Sequence, residues 1–205
     1  VLNDTINVEV GNPKDIYSKI VVLDAGHGGK DPGASYGGYS EKNLNYAILY
    51  KYAKNYFNSD SSDIKAYWTR HNDTFITLDD RAAYAKKVGA DLFISLHMNS
   101  AGASSANGIE VYHSSKNTSK TKSGLTSPKL ASTFVSRLSS NLGLKSRGAK
   151  DSAFAVVKKN TVPAILIELG FMTNTNDLNK LKNPTFQNKA AKAIYDLILI
   201  LLEDK

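Results

Sequence analysis

The chain has 205 residues and no cysteine. That absence removes thiol catalysis, cysteine-rich zinc modules, iron–sulfur clusters and disulfide staples together. It suits an exported bacterial protein and a cysteine-free cytosolic one equally. Long hydrophobic runs are missing as well. The most apolar helix-like stretch, Ala190 to Leu202, is interrupted by Lys192 and Asp196, whereas a membrane span needs about 20 apolar residues. It reads as a docked amphipathic helix, and no transmembrane segment is expected. Val1 to Ser18 is polar and lacks the apolar centre of a signal peptide. These residues read as a lead-in or linker stub ahead of one domain, 19–205.

Acidic residues are in deficit, leaving a net charge of +7. A basic surface favours polyanions such as nucleic acid, anionic lipid or anionic cell-wall polymer. The lysines are scattered, however, without an arginine-rich block or an aromatic RNA-binding signature, so no nucleic-acid partner is expected. At 41% hydrophobic, a chain of this length buries a core without staples. Any metal would therefore be catalytic rather than structural.

Strand-like and helix-like runs alternate along the chain. Ile20 to Asp24, Ile64 to Thr69, Asp91 to Leu96, Gly108 to Tyr112 and Ala164 to Leu169 read as strands, several apolar on both faces. Helices are expected after Ser40, after the capping pattern Thr77-Leu78-Asp79-Asp80, from Ser127-Pro128 to about Asn141, and near 175–182 and 184–203. Leu78, Ala82 and Ala85 would form the inner face of the second helix, with Gly89 ending it. The order β-α-β-α-β-β-α-β-α-α predicts an α/β fold, a largely parallel sheet covered on both faces. Ser100 to Asn107 and Ser114 to Ser127 are polar and expected to be exposed and mobile.

The stretch LDAGHGGKDPGASYGGYSEKNL, residues 23–44, leaves the first strand with an acid, a histidine and many glycines. It is not a phosphate cradle: there is no GxxxxGK[ST], and a GxGxxG beginning at Gly26 would need glycine at Asp31. His97 follows DLFISL much as His27 follows IVVLDAG. Both should lie at the carboxyl edge of the sheet, where open α/β folds bind ligands. Glu41, heading the next helix, returns to the same rim. Two nitrogens and one carboxylate oxygen make a catalytic zinc set with one position left over. Read singly, each could be a loop histidine or a helix-start acid.

Glu168 stands inside the apolar strand AILIELGF. A carboxylate there needs a cation or a proton. One reading pairs it with Arg70 or Arg81. The other makes it a general base beside a metal-activated water. Asp24 is a candidate partner for a ligand histidine. Asn99 could orient His97 or substrate. His113 could approach the site from a strand end, although a structural role suits it better, and His71 reads as a surface residue. Arg70 and Arg81 otherwise read as structural. Gly33, Gly37 and Gly38 would give the loop freedom to admit a glycan.

GHGG at 26–29, SEKNLN at 40–45, TR at 69–70, the L-x-x-R of Leu78 to Arg81, SLHMNS at 95–100, GIEVY at 108–112 and PAILIELGFMTN at 163–174 resemble the zinc-dependent N-acetylmuramoyl-L-alanine amidases, bacterial cell-wall hydrolases. The resemblance covers about residues 20–203. It implies a mixed six-stranded sheet flanked by helices, one zinc ion held by His27, Glu41 and His97, and Glu168 as catalytic acid/base. It implies hydrolysis of the amide joining the lactyl group of N-acetylmuramic acid to L-alanine of the stem peptide, by a secreted monomer acting on peptidoglycan. Some relatives carry a helical plug over the zinc. The segment between Tyr112 and Ser127 has no helical apolar period, so an open site is expected. Another zinc peptidase or deacetylase, and a non-catalytic wall-binding module, remain as alternatives.

Overall fold

Ile20, Val21, Val22 and Leu23 are all fully buried. Consecutive strand residues point to opposite faces, so both faces of this strand must be covered. The computed structural model describes residues 11–59 and 63–202. In it, β1 (Lys19–Ala25) pairs in parallel with β4 (Ile64–Trp68) on one side and β5 (Leu92–Asn99) on the other. β5 pairs in parallel with β8 (Ala164–Phe171). β6 (Ile109–His113) then runs antiparallel to β8, and β7 (Ser146–Asp151) follows β6 in parallel. The order is β4-β1-β5-β8-β6-β7, a mixed, largely parallel sheet of six strands, as expected.

The two faces are unequally covered. Leu23, Ile94, Leu96, Ile109 and Ile167 pack into the larger core with α2 (Glu41–Tyr46), α3 (Ala53–Ser59), α5 (Ser127–Leu142) and α8 (Pro184–Leu202). A π-helical stretch, Ala47–Tyr52, joins α2 to α3, and the indole N–H of Trp68 donates to the Leu49 carbonyl inside it at 2.7 Å. On the opposite face Ile20, Val22, Phe93, Ala164 and Leu166 meet only α4 (Leu78–Lys87), the short α6 (Ala155–Lys158) and nearby loop residues. Burying this much apolar surface at about 25 cal/mol per Å² is what holds the layers together.

Several expectations need correction. β7 was not foreseen: in SRGAKD every residue is exposed or half-buried, so no apolar alternation marks it, and β6 rather than its own pattern makes it a strand. Leu78 is 58% exposed and does not join the inner face of α4, whose buried residues are Arg81, Ala82 and Ala85. Residues 114–126 are mostly exposed, as expected, but the segment is anchored. Ser114 and Asn117 are buried, and the Asn117 amide donates to the carbonyls of Val157 and Val162 at 3.1 and 2.9 Å. Gly37 and Gly38, with φ of 58° and 80°, form the two-residue turn between β2 (Ser35–Tyr36) and β3 (Tyr39–Ser40). Such a turn requires positive φ at both positions. Their role is the hairpin itself rather than room for a ligand.

Of the expected lead-in, residues 1–10 lie outside the described residues, as do 203–205 at the end of the expected domain. Residues 11–18 contain α1 (Pro13–Ile16), and Lys14 Nζ is anchored on Asp91 at 2.5 Å and on the Ser18 carbonyl. No helix among the described residues is long and apolar enough to cross a membrane.

Candidate metal centre and its cleft

His97 on β5, Glu168 on β8 and Glu110 on β6 lie side by side in register. Their side chains therefore share one face, the one on which α4 and α6 pack. Beyond β1 the chain turns at Gly26, and His27 takes φ 61°, the sole positive value among the described non-glycine residues. This left-handed conformation is strained for a side chain with a Cβ. Two arginines hold it. Arg81 donates to the carbonyls of Ala25 (3.0 Å) and His27 (2.7 Å), and Arg70 to those of Ala25 (2.8 Å) and Gly26 (3.2 Å). Both therefore have the structural role expected of them.

The loop then brings Glu41 back. Its Oε1 lies 3.1 Å from His27 Nε2 and 2.8 Å from His97 Nδ1, while the Met98 and Ala34 backbone N–H groups donate to its two oxygens. One ligand atom from each of His27, Glu41 and His97 falls within 4.8 Å of the others. The packing leaves no room for larger residues alongside. A Cβ on Gly26 would sit 2.2 Å from His97 Nε2, and one on Gly33 2.6 Å from both Glu41 Oε2 and His27 Cδ2. Glycine is required at both positions for this reason.

Burial disfavours the Glu41 carboxylate, but hydrogen bonds and charge from both imidazoles outweigh that and hold its pKa far below the ordinary value. Burial likewise opposes a charged His27, and Glu41 with Asp31 outweighs it, so its pKa is raised. The pair of directions describes a site that keeps a negative oxygen facing positive charge. Two imidazole nitrogens converging on one carboxylate oxygen fit a divalent borderline-soft cation such as zinc.

Glu168 differs in kind. Among the described residues its Oε2 is buried without a hydrogen-bond partner. Neither arginine reaches it, because Arg81 is paired with Asp24 (2.6 Å) and Arg70 is spent on carbonyls. Burial, then the negative charges of Glu41 and Glu110, push its pKa well above the ordinary carboxylate range.

Two neighbours differ from expectation. Asp24 does not orient a histidine; it accepts from Arg81, Thr69 (2.6 Å) and Ser95 (2.7 Å). That task falls to Asp31, whose Oδ2 is 2.7 Å from His27 Nδ1. The available signal was the i, i+4 spacing inside the glycine loop, closed by the Gly28–Asp31 bridge. Asn99 donates to Glu110 Oε2 at 3.0 Å rather than to His97. His113 ends an antiparallel strand, so it lies at the opposite edge, in keeping with the structural role preferred for it, and among the described residues its buried Nδ1 has no hydrogen-bond partner. His71 is exposed against Tyr50, as expected.

A cavity of about 310 Å³ adjoins the group, lined by His27, His97, Phe75, Ile76, Leu78 and Val156 among others. Exposed Leu78 thus finds its place on the cleft wall. Residues 114–126, all described, contain no helix and follow the far end of β6, so they do not cover the group.

Residues 21–199 match the family model described as N-acetylmuramoyl-L-alanine amidase. The chain is 41% identical to the uncharacterized protein YqiI of Bacillus subtilis over 87% of its own length and 82% of that protein's. It is 37% identical to the N-acetylmuramoyl-L-alanine amidase LytC of the same organism, over 92% of this chain but only 36% of LytC. The crystal structure of an N-acetylmuramoyl-L-alanine amidase from Clostridium difficile 630 superposes with a TM-score of 0.83 at 34% identity, covering 91% of this chain and 98% of that one.

Proposed function

This chain belongs to the N-acetylmuramoyl-L-alanine amidase family, and from that premise we propose that it is a zinc-dependent amidase of peptidoglycan. It cleaves the amide between the lactyl group of N-acetylmuramic acid and L-alanine of the stem peptide. The observation that carries this reading is the convergence of His27, Glu41 and His97 next to an unpaired buried carboxyl, Glu168.

His27, His97 and Glu41 would hold the ion, one zinc, which would supply Lewis acidity and lower the pKa of a water there. Asp31 holds the His27 ring so that Nε2 faces the ligand position. Glu168 is free to accept a proton because nothing in the described chain occupies its Oε2. It takes the proton of the attacking water as the C–O bond forms and passes it to the departing alanine nitrogen as the C–N bond breaks. Burial, which raises its pKa, favours the protonated form that it holds between the two steps. The protein acts as a secreted monomer in the cell wall, where its positive charge favours anionic wall polymers.

Digestion of purified peptidoglycan with and without chelator tests the reading. The expected products are glycan bearing lactyl carboxylate and peptide with free amino-terminal L-alanine, lost on chelation and restored by zinc. New reducing sugar ends, cleavage within the peptide, loss of acetyl groups or binding without products would each overturn it. A second measurement addresses Asp31. Asp31→Ala should weaken zinc affinity by about 10–100-fold in competition with a chromophoric chelator, and unchanged affinity would remove Asp31 from its role.

A further inference from the structure

Arg147 and Lys150 are three residues apart on β7, so on a regular strand they would point to opposite faces. They do not. Ile109 is paired with Ser146 but Val111 with Ala149, which sets both Arg147 and Gly148 against Glu110. The extra residue, with Gly148 at φ 85°, resets the alternation as a β-bulge does. Both cations arrive on one carboxylate: Arg147 Nε donates to Glu110 Oε1 at 2.6 Å and Lys150 Nζ at 2.5 Å. The other oxygen accepts from the Tyr112 hydroxyl at 2.6 Å and from Asn99.

Glu110 is thus saturated and 2% exposed, while the Arg147 and Lys150 side chains remain 32% and 38% exposed. Two positive charges meet one negative, leaving a surplus of one. Among the described residues only the Nε of Arg147 is hydrogen-bonded, and its guanidinium rests on the Phe171 ring at 5.1 Å. Its two outer nitrogens are therefore oriented and unused, the arrangement that accepts a carboxylate on two parallel bonds. α5, which covers β6 and β7, packs on the other face.

Strands lie about 4.8 Å apart. The cation heads over β6 are thus about 5 Å beyond Glu168 on β8 and about 10 Å beyond His97 on β5. An extended peptide advances about 3.3 Å per residue, so that distance is reached by the second or third residue past the scissile amide. We propose that Arg147 and Lys150, assembled on Glu110 by the β7 bulge, form a subsite that binds a free carboxylate on the leaving stem peptide. The proposal rests on the amidase reading above.

Two muramoyl peptides test it, alike except that the carboxylate of the second residue, and in a parallel pair of the third, is free or amidated. The zinc-loaded protein should cleave the free acid of one pair with kcat/KM about 10–100-fold above the amide. In Arg147→Gln and Lys150→Gln that ratio should fall toward one, and Arg147→Lys should keep part of it. Equal cleavage of acid and amide in both pairs by the unmodified protein overturns the subsite and leaves the amidase reading standing, and needs no variant to fold. Variants that slow both peptides equally also overturn it. If the unmodified protein cleaves no muramoyl peptide, the amidase reading fails, and the subsite with it.

Discussion

Glu168→Gln should lose about 10²–10⁴-fold in turnover of a muramoyl peptide while binding zinc as before. The amide side chain is the same size and sits on a strand paired on both sides, by β5 and β6, so the backbone has no reason to move. Within the described chain Glu168 Oε2 has no partner to lose. What disappears is the ability to accept and return a proton. Glutamine also removes an ionisable group from a buried position, so thermal stability should stay level or rise. Metal content by atomic emission, melting temperature and kcat measured on one preparation separate these effects. Turnover within about tenfold of the parent, with zinc retained, would rule Glu168 out as the proton carrier.

Asp24→Ala should be the most damaging single change to stability. Asp24 is fully buried, and the guanidinium it pairs with is 3% exposed. Removing one partner of a buried pair leaves the other charge without compensation and destabilises by about 3–5 kcal/mol. At about 2–4 °C per kcal/mol for a domain of this size, the melting temperature should fall by roughly 6–20 °C. Arg81 also grips the His27 carbonyl, so zinc affinity should fall with it.

The pH dependence has a definite sign. Burial raises the Asp24 pKa, but Arg81, Thr69 and Ser95 outweigh it and leave it lowered. A carboxyl with a depressed folded pKa stabilises fully above its unfolded value and loses that contribution as pH falls through the folded one. The gap in melting temperature between parent and variant should therefore be widest near neutrality and narrow below about pH 4. A gap of under about one degree at pH 7 would mean the pair contributes nothing net, as buried pairs sometimes do.

The residues of the proposed centre were legible in the sequence because their signal is local. A histidine directly past a buried strand lies at the carboxyl edge whatever the rest of the chain does. Parallel strands bring such edges together, so His27 and His97 could be joined without coordinates, and Glu41 with them. Glu168 stood out because an acid inside AILIELGF contradicts its surroundings. Asp31 was missed, with Asp24 named as a histidine's partner, for the opposite reason. Both acids flank the same histidine in sequence, and only the turn at Gly26, with the bridge from Gly28 to Asp31, decides which one faces the ring. Asn99 was set beside His97 by closeness in sequence, and the structural role preferred for His113 rested on no knowledge of strand direction. β6 runs against β8, and that reversal carries His113 to the far edge.

By itself the amino-acid order determined the alternation of strands and helices, the placement of His27 and His97 toward the carboxyl edge and the residues of the proposed metal centre, since each follows from patterns only a few residues long. Tertiary structure alone decided which acid steadies His27, which carboxylate neutralises Arg81, and that SRGAKD is a strand at all. Those outcomes depend on register and on the direction of neighbouring strands, which arise from contacts between segments tens of residues apart.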